Sequence, residues 1–403
     1  MPELARAVTA TAQAGLHDFI LEQLRERNRV SAAFFPREST RLAAACRSMS
    51  DRFLKGGRLL AFGRGAYATD AQHVSVEFVH PVIVGKRALP ALDLSIAFRE
   101  WLPAILTPDD IVMGFGPPEP DPEVASVLAH ARERGALTFA LPGIEGDYAV
   151  SAPSHDPYIH QEAIEILYHT LWESVHVFFE HRELGHDVGA ASFLYPYLGT
   201  QRQDLDRVAG DVASSIVMKA QDDERLREQV GATQAGGIAQ TIVAMRERIA
   251  LGGKLILFGN GGSATDANDW AIDCVMPPDG ARPIPAVSLS LEPANITAIA
   301  NDVGTDVIFV RQLIAQANPN DVVVGISTSG GSKNVLATFA EARKRGLLSV
   351  ALLGYDGGDV VRSQLADIAI VVHCDYIPRI QEVQASIYHI IRQALGGVPQ
   401  HAA

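Results

Sequence analysis

The stretch GGKLILFGNGGSATDANDWAIDC at residues 252–274 decides the fold, because the chain carries a second version of it. At residues 56–78 it reads GGRLLAFGRGAYATDAQHVSVEF, which is the same pattern 196 positions earlier. In both versions a short apolar run ends in a glycine-rich turn, and residues with helical spacing follow. The sequence therefore predicts the same strand, tight turn and helix twice.

The repetition continues along the 403-residue chain. Residues 110–135 align without a gap on residues 321–346, and residues 158–169 align on a segment that ends at His389. Repetition on this scale indicates a duplicated domain. Length alone also favours two domains of roughly 200 residues, each large enough for its own core.

Within each half, short apolar runs alternate with longer segments of helical spacing. In the second half these runs lie at residues 255–258, 322–325 and 350–353. Such alternation predicts a parallel sheet with helices on both faces. We therefore predict an α/β domain at residues 1–190 and a second one at residues 191–403.

The composition excludes several classes of protein. The net charge of −13 and the short basic runs do not fit a nucleic-acid-binding surface. No apolar run approaches the roughly 20 residues of a membrane span, and the N-terminus lacks the pattern of a secretory signal. Cys46, Cys274 and Cys374 are too scattered for a disulfide framework. We expect a cytoplasmic protein without nucleic-acid or membrane partners.

Two loops of the second half suit a phosphate group. Residues 259–263 (GNGGS) join an apolar run to a helix, where glycines allow close approach and free N–H groups attract an anion. Residues 327–332 (STSGGS) put four hydroxyls on a second turn of this type, and each can donate a hydrogen bond to an oxyanion. Ordinary helix capping would need a single hydroxyl. We predict a phosphate site at these loops.

The corresponding loop of the first half has the opposite character. Residues 116–122 read GPPEPDP, in which prolines lack the N–H donor and Glu119 and Asp121 repel a phosphate. Tyr67 also stands where Ser263 stands in the second half. We therefore expect no phosphate site here.

The first half carries instead side chains that suit a metal ion or proton transfer. His73 and Glu77 are four residues apart on one predicted helix, and Gln161 and His169 are eight apart on another, so each pair shares a helical face. These groups can hold a divalent ion, act as acid and base, or be ordinary polar side chains on helices. The corresponding residues of the second half, a subordinate candidate metal set, are Asp269, Asp273, Gln381 and His389.

Four motifs of the second half together carry a family resemblance. They are GNGGSATDA at 259–267, ITAIAND at 296–302, GISTSGGSKNVL at 325–336, and RIQE at 379–382 followed by His389. This half resembles the sugar isomerase (SIS) domain family, and within it the phosphoheptose isomerases, and the first half resembles them more loosely. The resemblance implies two tandem SIS domains, each a flavodoxin-like, three-layer α/β/α fold.

The same resemblance implies roles for individual residues. In some family members the positions of His73, Glu77, Gln161 and His169 bind zinc, and the Glu and the last His move protons between C1 and C2 through an enediol. Glu292 stands where the family usually has Asp. The resemblance implies that Asn260 lies near the sugar and that Glu292 contacts the sugar hydroxyls. The residues implied to hold the phosphate are Ser263, Ser327, Thr328, Ser329 and Ser332.

The resemblance further implies an isomerase for sedoheptulose 7-phosphate and D-glycero-D-manno-heptose 7-phosphate. Ser263 and Asp273 lie about 15 Å apart along one helix, which exceeds the length of the sugar. We therefore expect a composite site, with the phosphate loops from one half and the acid–base set from the other. We also expect a homodimer that restores the four-domain assembly of the family.

Two other functions remain open at this point. SIS domains also occur in regulators that bind a phosphosugar without catalysis and in scaffolds for protein assembly. The isomerase unit of glucosamine-6-phosphate synthase likewise has tandem domains, although the motifs here match the phosphoheptose type and no amidotransferase domain is present. Assaying sedoheptulose 7-phosphate with and without a chelator distinguishes these possibilities.

Overall fold

The computed structural model of the chain describes residues 2–82, 86–183, 205–278 and 281–396. The predicted domain boundary after residue 190 lies outside these ranges. Among the described helices, none combines the length and the apolar character needed to cross a membrane.

The chain folds as two compact units, each containing most of one repeat. The first-repeat unit is Val30–Asp222, and the second-repeat unit is Met1–Arg29 together with Asp223–Ala403. The divisions fall inside two long helices, α1 (Pro2–Leu54) and α6 (Leu205–Ala250). Each repeat therefore begins with a helical segment that belongs to the unit of the other repeat.

The first-repeat unit contains a five-stranded parallel sheet with the strand order β2-β1-β3-β4-β5. This order leaves the carboxyl ends of β1 and β3 side by side. Besides the parts of α1 and α6, its described elements are β1 (Leu59–Gly63), α2 (Ala68–Val79), β2 (Ala91–Asp93), α3 (Phe98–Ile105), β3 (Ile111–Phe115), α4 (Pro122–Glu133), β4 (Leu137–Leu141), β5 (Tyr148–Ala149) and α5 (Pro157–Glu183).

The second-repeat unit has a parallel sheet of the same order, β7-β6-β8-β9-β10. The predicted fold class, two tandem three-layer α/β/α domains, is confirmed. The described elements after α6 are β6 (Leu255–Phe258), α7 (Gly262–Val275), β7 (Ala286–Ser288), α8 (Pro293–Asp302), α9 (Ile308–Gln316), β8 (Val322–Ser327), α10 (Lys333–Lys344), β9 (Leu348–Gly354), α11 (Gly358–Arg362), β10 (Ile368–Val372) and α12 (Ile377–Leu395).

Apolar side chains cover both faces of each sheet. In the first-repeat unit, Trp172 of α5 lies in the cluster on one face, whereas Phe98 of α3 and Leu128 of α4 lie in the cluster on the other. The central strands are buried along their whole length. A strand that is buried on both faces needs a continuous apolar run, which explains the runs that the sequence repeats.

The exchanged helical segments complete the two cores. Ile20 of α1 packs in the core of the second-repeat unit, and Ile216 of α6 packs in the core of the first-repeat unit. These residues are 196 positions apart, so they are equivalent in the repeat, and both are fully buried. The repeat pattern by itself did not indicate this exchange.

Candidate active site

The glycine-rich loop after β6 carries Asn260 and Ser263. Gly261 has a φ of 57°, a left-handed conformation that favours glycine, and α7 begins at the next residue. Ser263 is buried in the first turn of this helix, with 4% exposure, whereas Asn260 is exposed. This geometry places one hydroxyl at a helix N-terminus, where an anion is favoured.

The hydroxyl-rich loop after β8 carries Ser327, Thr328, Ser329 and Ser332. Two of its hydroxyls shape the turn: Ser327 Oγ accepts a hydrogen bond from the Gly330 amide (3.1 Å), and Ser329 Oγ accepts one from Gly331 (3.3 Å). Ser329 is exposed, and Thr328 and Ser332 are half-buried. Each hydroxyl keeps its proton available for donation, since in these bonds it acts only as an acceptor.

The glycine-rich loop is joined directly to the first turn of α10, the helix that follows the hydroxyl-rich loop. β6 and β8 are neighbours in the parallel sheet, so their carboxyl ends lie at the same edge, where ligands bind in open α/β sheets. The side-chain amides of Asn260 and Asn334 exchange two hydrogen bonds, of 3.0 and 2.9 Å. The structure thus brings the predicted phosphate residues of both loops to one sheet edge.

Glu292 lies near this edge but stands outside the two loops. It precedes α8, its side chain makes no capping hydrogen bond, and it is exposed. Two residues earlier, Ser290 Oγ donates to the Gly259 carbonyl (3.0 Å) and accepts from the Gly259 amide (3.2 Å). This contact attaches the segment before Glu292 to the glycine-rich loop.

Acidic side chains in and after the proline-rich loop of the first repeat make hydrogen bonds and ion pairs within the protein. Asp121 caps α4 by accepting from the Glu123 and Val124 amides. Arg64 pairs with Asp121 (3.0 Å) and with Glu123 (3.2 Å). Of the two carboxylates that would repel a phosphate, Asp121 is therefore partly neutralised by an arginine, a contact that sequence reasoning missed.

His160 supports the same loop from α5. One of its ring nitrogens, Nε2, lies 3.1 Å from the Gly116 carbonyl oxygen. Burial lowers the pKa of His160 to about 4, so the ring is neutral near pH 7. His160 therefore acts here as a neutral hydrogen-bond donor to the loop.

A buried histidine pair forms the centre of the first-repeat cluster. The Nε2 atoms of His73 on α2 and His169 on α5 lie 3.3 Å apart, and Oε1 of Glu77 lies 3.9 Å from His73 Nε2. These three side chains are 2% exposed or less. The side-chain amide nitrogen of Gln161 donates hydrogen bonds to Asp70 (3.1 Å) and Thr69 (3.3 Å). The structure thus brings His73, Glu77 and His169 together and binds Gln161 to the start of α2.

Glu165 is a further member of this cluster that sequence reasoning missed. A carboxylate oxygen of Glu165 and one nitrogen each of His73 and His169 lie within 4.8 Å of one another. The signal was present in the spacing, because Gln161, Glu165 and His169 follow one another at intervals of four residues and so share one face of α5.

The equivalent cluster of the second repeat is acidic. His389 Nε2 lies 3.2 Å from an oxygen of Asp269 and 3.3 Å from one of Asp273, and the Tyr388 hydroxyl donates to Asp269 (2.8 Å). Burial, followed by the neighbouring charge of Asp269, raises the pKa of Asp273 to about 6. Gln381 is buried two helical turns before His389 on α12. At the three equivalent positions, one imidazole and two carboxylates thus replace the two imidazoles and one carboxylate of the first repeat.

Comparison with known proteins places the chain in a family. The family model of the SIS domain matches residues 220–354. The phosphoheptose isomerase of Geotalea daltonii is 40% identical over 173 residues, which are 42% of this chain and 87% of that protein. The phosphoheptose isomerase of Trichlorobacter lovleyi is 38% identical over 190 residues, 46% of this chain and 96% of that protein. The chain belongs to the phosphoheptose isomerase family.

Both of these alignments use less than half of this chain, as expected if the family domain is present twice. A solved structure matches nearly the whole length. The C-terminal domain of glucosamine-fructose-6-phosphate aminotransferase from Francisella tularensis covers 94% of this chain and 95% of that chain, with a TM-score of 0.59. At 8% identity the likeness shows the tandem fold alone.

The first-repeat cluster of this phosphoheptose isomerase family member fits a divalent cation. Zn²⁺ in proteins is commonly held by imidazole nitrogens together with a carboxylate. His73, Glu165 and His169 supply this donor set, and all three are buried. The same side chains also fit proton transfer, because a His and a Glu side by side can exchange protons with a substrate.

Proposed function

We propose that this chain is an aldose–ketose isomerase that interconverts sedoheptulose 7-phosphate and D-glycero-D-manno-heptose 7-phosphate. Its family membership supports the general activity, isomerisation of a phosphosugar. The identity of the sugar rests on the relatives, which carry the name phosphoheptose isomerase. The observation that carries the proposal is the buried cluster of His73, Glu77 and His169 in a chain that also holds a hydroxyl-rich loop at a sheet edge.

Phosphate recognition is assigned to the second repeat. Ser263, Thr328, Ser329 and Ser332 offer hydroxyl donors at the N-terminal ends of α7 and α10, and Asn260 adds an amide. Hydrogen bonds to a charged phosphate oxygen are stronger than those between neutral groups. Glu292, with its exposed carboxylate, is proposed to contact the sugar hydroxyls.

Proton transfer is assigned to the first repeat. From the ketose, Glu77 takes a proton from C1 while His169 gives a proton to the oxygen on C2, which yields the enediol. Glu77 then returns the proton to C2, and the hydroxyl on C1 gives its proton back to His169, which yields the aldose. Both side chains are almost fully buried, which limits exchange of the transferred proton with water.

Zinc is compatible with this assignment. The ligand set that the family implies is His73, Glu77, Gln161 and His169. Zinc bound there would stabilise the negative charge that develops on the substrate oxygen. Gln161 also orients the start of α2, because its amide nitrogen donates to Asp70.

What each repeat lacks supports our proposal of a composite site. The loop at residues 116–122 has no hydroxyl side chain, and the second repeat has Asp269 and Asp273 in place of His73 and Glu77. Neither repeat alone carries both parts, so we assign phosphate binding to one and proton transfer to the other.

The test is an isomerase assay on the full-length protein. Incubation with sedoheptulose 7-phosphate should yield the aldose, and parallel reactions with a chelator show whether a metal contributes. Fructose 6-phosphate serves as the control substrate. Tight binding of sedoheptulose 7-phosphate without any turnover would replace the isomerase with a phosphosugar-binding regulator.

A further inference from the structure

We propose that Glu165 is the carboxylate ligand of a divalent-cation site that it forms with His73 and His169. This inference rests on the proposed function, because it assigns metal binding and proton transfer to different side chains of the same cluster. The set implied by the family contains Gln161 and Glu77 but has no member at position 165.

The spacing of the two imidazoles supports a shared cation. Two nitrogens bound to one tetrahedral zinc at roughly 2.0–2.1 Å lie about 3.4 Å from each other. The Nε2 atoms of His73 and His169 are 3.3 Å apart. The separation of the two nitrogens therefore matches the distance that a shared ion requires.

Glu165 supplies the third donor from the correct helical face. It lies four residues before His169 on α5, one turn along the same face. Its oxygen lies within 4.8 Å of a nitrogen of each histidine, and its side chain is 4% exposed. A cation at this position would offset part of the cost of burying the carboxylate, because an opposite charge stabilises a buried charge.

Gln161 and Glu77 are placed for other tasks. The amide nitrogen of Gln161 bonds to Asp70 Oδ2, which only accepts when ionised, so this bond fixes the orientation of the amide. Oε1 of Glu77 lies 3.9 Å from His73 Nε2. With Glu165 as the ligand, Glu77 is the carboxylate of the cluster that acts on the substrate.

The second repeat shows that this carboxylate is specific to the first. Ala385 stands at the position equivalent to Glu165, whereas Gln381 and His389 keep the positions of Gln161 and His169. The second repeat has its carboxylates on α7 instead, at Asp269 and Asp273. The glutamine is thus common to both repeats, and only the first combines two imidazoles with Glu165.

Cobalt binding tests the assignment separately from turnover. Full-length protein is freed of metal with a chelator and titrated with Co²⁺, and the visible absorption of the protein-bound ion is recorded. Asp273→Asn is introduced into every sample to weaken the acidic cluster of the second repeat. In this background, Glu165→Gln is compared with Glu77→Gln and with Glu162→Gln, a buried residue of α5 next to Gln161. Thermal melts in the chelator show whether each variant is folded.

Glu165→Gln should weaken Co²⁺ binding by about a hundredfold or more, because loss of groups that merely support a ligand already costs about 10- to 100-fold. Glu77→Gln and Glu162→Gln should bind Co²⁺ within about threefold of the background protein. Wild-type-like binding by folded Glu165→Gln, loss of binding in folded Glu77→Gln, or no binding by the background protein would each overturn the assignment. Co²⁺ binding without isomerase activity would contradict the proposed function and leave the metal site standing.

Discussion

In both repeats a side-chain contact joins the two strand-to-helix connections, but the residues that form it differ. In the second repeat, Asn260 and Asn334 join the two loops through a pair of amide hydrogen bonds. At the equivalent positions of the first repeat, Arg64 and Glu123 join them through an ion pair of 3.2 Å. The scaffold thus keeps a link at its loops, whereas serine and threonine side chains occur in the second-repeat loops and are absent from residues 63–67 and 116–122 of the first repeat.

The helix clusters of the two repeats show the reverse asymmetry. The first repeat presents two imidazoles with Glu77 and Glu165, a set suited to a cation and to proton transfer. The second presents one imidazole, His389, between two aspartates. The two repeats therefore differ in the side chains of their helix clusters, whereas their sheets keep the same strand order.

The largest expected effect concerns the two acidic positions on α2 and α7. Glu77→Gln should lower kcat about 10²- to 10⁴-fold, because it removes the proposed base and keeps the shape of the side chain. The matched change in the other repeat, Asp273→Asn, should leave kcat within about threefold. Steady-state assays of both variants, with circular dichroism to verify folding, make the comparison. If Asp273→Asn is the damaging change, the two clusters have been assigned in the wrong order.

A smaller effect is expected at the two loops. Ser329→Ala should raise KM about 10- to 100-fold with little change in kcat, because a hydrogen bond to a charged group contributes roughly 1.5–3 kcal/mol to binding of both substrate and transition state. Pro118→Ala, at the equivalent position of the first repeat, serves as the control and should leave KM unchanged. An unchanged KM in Ser329→Ala would remove this loop from phosphate recognition.

The smallest effect concerns the link between the loops. A double-mutant cycle on Arg64 and Glu123 with alanine should give a coupling free energy below about 1 kcal/mol that declines with added salt, since both side chains are partly exposed. Chemical denaturation of the four proteins measures it. The double variant Arg64→Asn/Glu123→Asn introduces the asparagine pair of the second repeat. Its free energy of unfolding should lie within about 1 kcal/mol of the wild-type value. A coupling several times larger, or one insensitive to salt, would show that this ion pair is essential to the fold.

The sequence predicted the features that depend on local pattern. The duplication, the parallel sheets and the loop at residues 327–332 follow from apolar runs and turn residues that lie close together along the chain. Glu165 was missed because its importance depends on α2 and α5 meeting face to face, which spacing along α5 alone does not reveal. The pairing of Arg64 with Glu123 was missed for the same reason, since 59 residues separate the partners.

The exchange of helical segments has a consequence for any attempt to cut the protein in two. A cleavage at the midpoint would separate Ile20 from the second-repeat core in which it packs. It would likewise separate Ile216 from the first-repeat core. Each fragment would expose an apolar groove on one side and an apolar helix on the other. We therefore expect the two products to recombine or to aggregate, because both outcomes cover the exposed apolar surfaces again.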